Sequence, residues 1–367
     1  MRLNFGMKVK NHLFPIFVIA LLTGACNTFQ SNDGQFDLVF LDTLDIPFVG
    51  DIHAGAYANH TGLIYNYRSG EYLKFDSLGN VLAKNTIPSE GENGLFYVNG
   101  LKIIENGNIL AKTIRGEIGL LDEELNLLKK VSMPFPNGSL DLKRNQNAIE
   151  IYKDELLLFY PGRDNKNPYN LGYYKDNFLI EKLNPSTGEA VPYLKLSPES
   201  KYQENLHFVP PTALISVLGN SLYFVFNKEP LISKYNLENN GAWESSVSLD
   251  SEGFVEIEGQ EVPIGNDGSV LAEGEITNLF ALENGFAVVY LDGISKSSPQ
   301  KNKLPGKQLK IYNYETGWSN PIELPLNVLF LLNFTDEGQS FYALINPSSL
   351  PKGNKEAKVL KLKLQPK

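Results

Sequence analysis

The sequence predicts an all-β chain folded as a six-bladed β-propeller and closed by a strand from its own N-terminal end. Three observations carry that expectation. From about residue 36 onward, short runs rich in Val, Ile, Leu, Tyr and Phe alternate with Gly/Asn/Asp/Pro clusters, and no long amphipathic helix interrupts them. The runs recur as six similar turn–strand–strand units. The last unit lacks a fourth strand, and one strand stands ahead of the first unit with no unit of its own. The 21 Phe and 18 Tyr agree, because bulky rings suit a pleated, half-buried surface.

The second strand of each unit is an apolar run behind a turn, at residues 62–67, 108–114, 155–160, 221–226, 285–290 and 340–345. Third strands follow at 72–75, 118–121, 178–183, 231–235, 309–312 and 359–364. Most then enter a turn, such as Asp76-Ser77-Leu78-Gly79-Asn80 or Asn313-Tyr314-Glu315-Thr316-Gly317, leading to outer strands expected near Ile87, Leu196 and Leu324. Each small antiparallel sheet must cover both faces, and stacking the sheets radially around an axis does so. The last unit stops at Lys367, three residues after its third strand. Pairing residues 36–40 with that sheet closes the ring and leaves no blade edge open to aggregation. A seven-bladed ring with one degenerate blade, or a β-sandwich, is the competing architecture.

Ahead of the propeller domain (36–367), residues 1–25 read as a lipoprotein signal peptide and 26–35 as a lipidated cysteine with a flexible tether. Arg2, Lys8 and Lys10 give a positive start, residues 13–22 an apolar stretch, and Gly24 and Ala25 a small-residue approach to Cys26. That apolar stretch is about half the length a membrane-spanning helix needs. Leu22-Thr23-Gly24-Ala25-Cys26 is similar to a lipobox, with Thr23 at the place where Leu usually stands. Cys26 is the only cysteine, so no internal disulfide exists. The expected location is the cell envelope, with the membrane as partner through a lipid anchor on the outer membrane, facing the periplasm or the surface.

Cleavage removes Arg2, Lys8 and Lys10 and takes 33 Lys+Arg to 30, against 42 Asp+Glu, for a formal net charge of −12. An acidic chain of this kind is a poor nucleic-acid binder, which needs a basic face. No cofactor is implied.

With a lipobox-like Cys26, a polar tether and six turn–strand–strand units, the chain resembles a Bacteroidota-type family of propeller lipoproteins known only as a domain of unknown function. It is also similar in layout to six-bladed TolB-like and NHL-type propellers. The resemblance spans nearly the whole mature chain and implies the fold and the envelope address. It carries over no functional residues.

Loop lengths point to one face for binding. First-to-second strand connections are short turns, whereas the longer connections at 161–177, 292–307 and 347–357 fall on the opposite face with the inter-blade links 197–211 and 250–277. Binding residues concentrate on such loops. Arg68, Arg115, Arg163 and Lys228 each follow a second strand on that face, a candidate basic ring for an anionic or carbonyl-rich ligand. Tyr169, Tyr173 and Tyr174 add apolar area with hydroxyl handles suited to a protein, peptide or glycan ligand, although tyrosines in a long loop also serve to pack it down. His207 is the histidine to test beside them.

Catalytic signatures are sparse. His53, His60 and His207 stand in no metal-ligand spacing, and there is no G-x-S-x-G elbow. Glu256 and Glu258 alternate along residues 254–258, a pattern expected of a solvated hairpin. The expected function is therefore a binding or scaffold propeller. The alternative is a propeller enzyme, a lyase or hydrolase acting on extracellular polymers.

Overall fold

In a computed structural model, the described residues are 34–135, 149–161, 163, 166–262, 270–295, 305–335, 338–350 and 356–367. The signal segment and Cys26 lie outside them. Strand β1 (Phe36–Val49) is the first in the chain and the last in the ring. Blade 1 is β2 (Ile52–Ala58), β3 (Thr61–Asn66), β4 (Glu71–Asp76) and β5 (Val81–Thr86). Blade 2 is β6 (Val98–Ile103), β7 (Ile109–Thr113), β8 (Ile118–Leu121) and β9 (Leu127–Val131). Blade 3 is β10 (Ile149–Tyr152), β11 (Glu155–Phe159), β12 (Phe178–Leu183) and β13 (Ala190–Lys195). Blade 4 is β14 (Ala213–Leu218), β15 (Ser221–Phe226), β16 (Leu231–Asn236) and β17 (Ala242–Ser248).

Blade 5 is preceded by β18 (Val270–Ala272) and consists of β19 (Glu275–Leu282), β20 (Gly285–Leu291) and, after a short β21 (Ile294–Ser295), β22 (Lys307–Asn313). Its outer strand is broken into β23 (Gly317–Trp318) and β24 (Ile322–Glu323), while β18 and β21 pair into a small side sheet. Blade 6 is β25 (Val328–Thr335), β26 (Ser340–Ile345) and β27 (Glu356–Pro366), completed by β1 as its outer strand. β1 runs antiparallel to β27, from Phe36 opposite Pro366 to Val49 opposite Glu356. The closure expected from the sequence is therefore present, with six blades.

Each second strand is apolar on both sides because another blade covers each of its faces: β3, β15 and β26 are buried almost throughout. The core accordingly divides into six clusters, one at each junction between neighbouring blades. The junction between blades 6 and 1 takes Leu44, Ile46 and Phe48 from β1, so the closing strand contributes to the core as well as to the hydrogen-bond ladder.

Outer strands are a different case. β5 and β17 are largely exposed and correspondingly polar. The landmarks Ile87, Leu196 and Leu324 lie just beyond the outer strands, where the chain turns back into the core at 4%, 7% and 1% exposure. A strand solvated at the rim needs no apolar pattern, so the next buried residue stands out in its place.

The repeat is held by one local device. In blades 1 to 5 the third strand ends in, or is followed at once by, an Asp or Asn whose side chain accepts backbone N–H groups of the turn that follows. Asp76 accepts from Leu78 and Asn80 at 2.8 and 2.9 Å, and Asp122 from Asn126 at 2.7 Å. Asn184, Asn236 and Asn313 accept from Ser186, Glu238 and Glu315 at 2.8, 3.0 and 2.8 Å. Such Asx turns mimic a backbone turn. The hydrogen bonds from Asn80 and Asn126 hold the Asp76 and Asp122 carboxyls below the usual carboxylate range.

Polar links join the inner strands around the central channel. Lys102 of blade 2 donates to Glu150 of blade 3, whose carboxylate also accepts from the backbone of Val217 in blade 4. Ser216 accepts from Ala281 N of blade 5 at 2.9 Å, and Asn333 of blade 6 donates to the Tyr57 carbonyl of blade 1 at 2.8 Å. These residues line a cavity of about 330 Å³ at the short-turn end of the channel. The links fasten blade to blade from inside, as β1 does at the rim.

Candidate functional site

The long-loop face at the junction of blades 1 and 2 carries an unbroken strip of side chains in which two arginines flank aromatic rings. After β3, Asn66 Oδ1 accepts the Arg68 N–H at 3.1 Å and Asn66 O accepts Gly70 N at 3.0 Å, forming the tight turn that presents Tyr67 and Arg68. After β7, Gly116 (φ 77°) allows the corresponding turn that presents Arg115. Between the blades, Tyr97 sits at φ 53°, a conformation unusual for a bulky residue. Its carbonyl accepts Ile114 N at 3.1 Å, which pins the inter-blade connection to the Arg115 turn.

The contacts run from one cation to the other. The Arg68 guanidinium lies 5.5 Å from the Tyr67 ring, Tyr67 lies 4.8 Å from Tyr97, Tyr97 lies 6.4 Å from Phe96, and Arg115 lies 3.8 Å from the Phe96 ring. His53, from the start of β2, lies beneath with its ring edge-on to Tyr97 and Tyr67 at 4.5 and 5.4 Å. Arg68 and Arg115 are exposed, and the three aromatic rings are half-buried. Among the described residues Arg68 pairs with one carboxylate, Asp51 at 3.5 Å, and the Arg68 side chain is 71% exposed, so solvent screens that pair heavily.

The other cations of the expected ring are committed elsewhere. Arg163 donates Nε to Glu181 Oε1 at 2.7 Å, grips the other carboxylate oxygen and the Ala190 carbonyl, and lies 4.5 Å from the Phe135 ring. Glu181 is fully buried, and an unpaired carboxylate there would be costly, so Arg163 acts as its counter-ion. Lys228 bridges Glu273 and Glu275 at 3.1 and 3.3 Å.

Tyr173 and Tyr174 are likewise not surface residues, at 5% and 2% exposure. They belong to the core between blades 3 and 4, where Tyr174 meets Tyr202 and Phe226 at 5.3 and 5.5 Å. Burial pushes the Tyr174 hydroxyl well above its ordinary pKa. Their loop is packed down by its own tyrosines, and only Tyr169 remains exposed, at 59%. His207 is held by its ring contact with the Tyr169 carbonyl at 3.0 Å and a backbone bridge to Gln260, and no described contact joins it to an arginine. Residues 254–259 form no strand, so the hairpin expected there is absent, and Glu256 instead pairs with Lys201 at 2.7 Å.

The sequence names Arg68 and Arg115 as candidates, whereas Tyr67, Phe96 and Tyr97 join them only in the folded chain. A Tyr-Arg pair directly after the second strand was a usable signal. The Phe96-Tyr97 pair was not, because it approaches from the preceding inter-blade link. Among the described residues no cluster of His, Cys, Asp or Glu is arranged to hold a metal.

These features define the chain as a six-bladed β-propeller with an aromatic–arginine strip on its long-loop face. Solved structures share the fold. A member of the DUF4221 family from Bacteroides vulgatus superposes with a TM-score of 0.62 at 12% identity, covering 91% of this chain and 100% of its own. A protein of Bacteroides fragilis described as exported superposes with a TM-score of 0.52 at 13% identity, covering 93% and 98%. No family model and no curated protein matches the sequence.

Proposed function

We propose that this protein is a lipid-anchored propeller of the cell envelope that binds an anionic glycan or peptide on the blade 1–2 strip. The observation that carries this reading is the continuous contact path Arg68–Tyr67–Tyr97–Phe96–Arg115. Guanidinium forks recognise carboxylates in a planar, two-pronged way, and ring faces between them offer apolar area to a sugar or peptide backbone. The strained Tyr97 backbone supports it, since strain of this kind concentrates where a ligand clamp must be held in place.

The envelope address is supported by the signal-like N-terminus and by the exported description of a similarly folded protein. Gly34 lies on the short-turn face, against Trp318 and Ser319, and Cys26 precedes it by eight residues. At roughly 3.3–3.6 Å per residue, such a tether spans at most about 29 Å. An anchor at Cys26 would then hold the short-turn face toward the membrane and turn the strip away from it.

The test is calorimetric binding of oligogalacturonate, pentaglutamate and neutral maltopentaose to the soluble domain and to its Arg68→Ala and Arg115→Ala variants. A charged hydrogen-bonding partner contributes about 1.5–3 kcal/mol, so each variant should weaken the acidic ligand by about tenfold or more. Equal binding by all three proteins, or a preference for maltopentaose, would sink the reading.

A further inference from the structure

The opposite face carries a second candidate site, independent of the strip. A groove of about 300 Å³ lies between blades 5 and 6 where their short turns meet the start of β1. Leu282, Ile311, Tyr312, Leu364 and Phe36 give it an apolar floor, and Glu283 and Glu315 stand on its rim. Among the described residues its lining contains no Lys or Arg. Both rim glutamates are exposed, and neither has an ion-pair partner among the described residues.

The groove is built before any ligand arrives, because backbone hydrogen bonds fasten each wall. Tyr314 N donates to Asn284 O at 3.0 Å and ties together the two turns that carry the glutamates. On the other side Leu364 N donates to Gln339 O at 2.7 Å, and Asn320 N donates to Gly34 O at 3.2 Å. The surrounding turns of this face add exposed carboxylates at Glu105, Glu124, Asp154, Glu189 and Glu238. Against them stand Lys153, Lys367, which is already paired with Asp37 at 3.0 Å, and the ammonium groups of Lys74 and Lys129, which donate to the turn carbonyls of Glu123 and Pro185. The local field is therefore negative around an apolar slot.

The geometry points to a docking groove for a lysine- or arginine-bearing peptide segment of a partner protein. A long basic side chain matches both halves of the site. Its methylene stem covers apolar surface while its charged head stays at the solvated rim. Leu282, Ile311 and Leu364 would take the stem, and Glu283 and Glu315 would take the head. A negative field across the face would also draw a basic segment in before contact, an effect that salt weakens.

Fluorescence anisotropy of labelled pentalysine at low salt tests this on the soluble domain. Pentaornithine and penta-diaminobutyrate serve as probes with shorter stems and the same number of amines. The expected result is that Glu283→Gln with Glu315→Gln weakens pentalysine at least fivefold, while Glu124→Gln with Glu238→Gln does not. Shortening each stem by two methylenes should weaken binding by about tenfold if one side chain is seated, at roughly 0.8 kcal/mol per buried methylene. The Arg68→Ala and Arg115→Ala variants should bind pentalysine normally, so this inference and the function proposed for the strip stand or fall separately. Equal losses from rim and distant glutamates, indifference to stem length, or no binding of pentalysine would each overturn the groove.

Discussion

Arg163 grips the carboxylate of Glu181 with Nε at 2.7 Å and a terminal nitrogen on the second oxygen, between a loop after β11 and the middle of β12. The contact spans 18 residues of sequence and converts an expected ligand-binding cation into a fastening for blade 3. Its consequence is measurable. Arg163→Ala leaves a fully buried carboxylate without its counter-ion, and breaking such a pair costs on the order of 3 kcal/mol. Urea denaturation should show that loss, and Arg163→Met with Glu181→Leu should recover most of it. A single variant as stable as the parent would contradict the clamp.

Glu229 makes stability depend on pH. Burial is the main reason its carboxyl titrates at about 7 instead of 4.5, outweighing the hydrogen bonds from Ser200 Oγ and Lys201 N. The folded value lies above the unfolded one, so between these pH values the folded state keeps a proton that the unfolded state has released. Stability therefore falls as pH rises from about 4.5 through about 7. At 1.36 kcal/mol per unit, the loss is on the order of 3 kcal/mol. Glu229→Gln should remove it, and denaturation curves of both proteins from pH 4.5 to 8 provide the check.

The closing strand should be indispensable. A chain beginning at Asp51 lacks Leu44, Ile46 and Phe48, which are 5%, 0% and 1% exposed, and leaves β27 as an open edge. It should lose cooperative unfolding and aggregate, as unpaired edges do. Ile46→Ala is the milder form, expected to cost about 2–5 kcal/mol with the ring still closed. A truncated chain that melts like the parent would refute closure by β1.

Cys26 should matter for location and not for folding. The strand that closes the ring begins at Phe36, ten residues after Cys26. Cys26→Ala should therefore move the protein from the membrane to the soluble fraction with an unchanged melting temperature. Retention in the membrane fraction, or an unfolded product, would count against a lipid anchor.

The strands were legible because their signals are local. Residues 221–226 and 340–345 coincide with β15 and β26, and residues 118–121 and 178–183 with β8 and β12. Apolar runs bounded by Asx turns need information from only a few neighbouring residues. The orphan strand at residues 36–40 was equally plain, although β1 continues to Val49 because β27 offers it partners that far.

By itself, then, the sequence determined the all-β repeat, which follows from strand periodicity and turn chemistry, and it favoured six units closed by the N-terminal strand, while the sheet order decided for six blades against a seven-bladed ring or a sandwich. Tertiary structure alone decided which charged and aromatic groups were paired or buried and which were left at the surface. Arg163 and Lys228 met carboxylates 18 to 47 residues away, and Tyr174 found Phe226 across a blade junction. Arg68 and Arg115 instead met rings brought together by the stacking of blade 1 on blade 2. The physical reason is the reach of the forces involved. A strand is set by its nearest neighbours along the chain, whereas the fate of a buried charge or a ring depends on whatever the fold places against it.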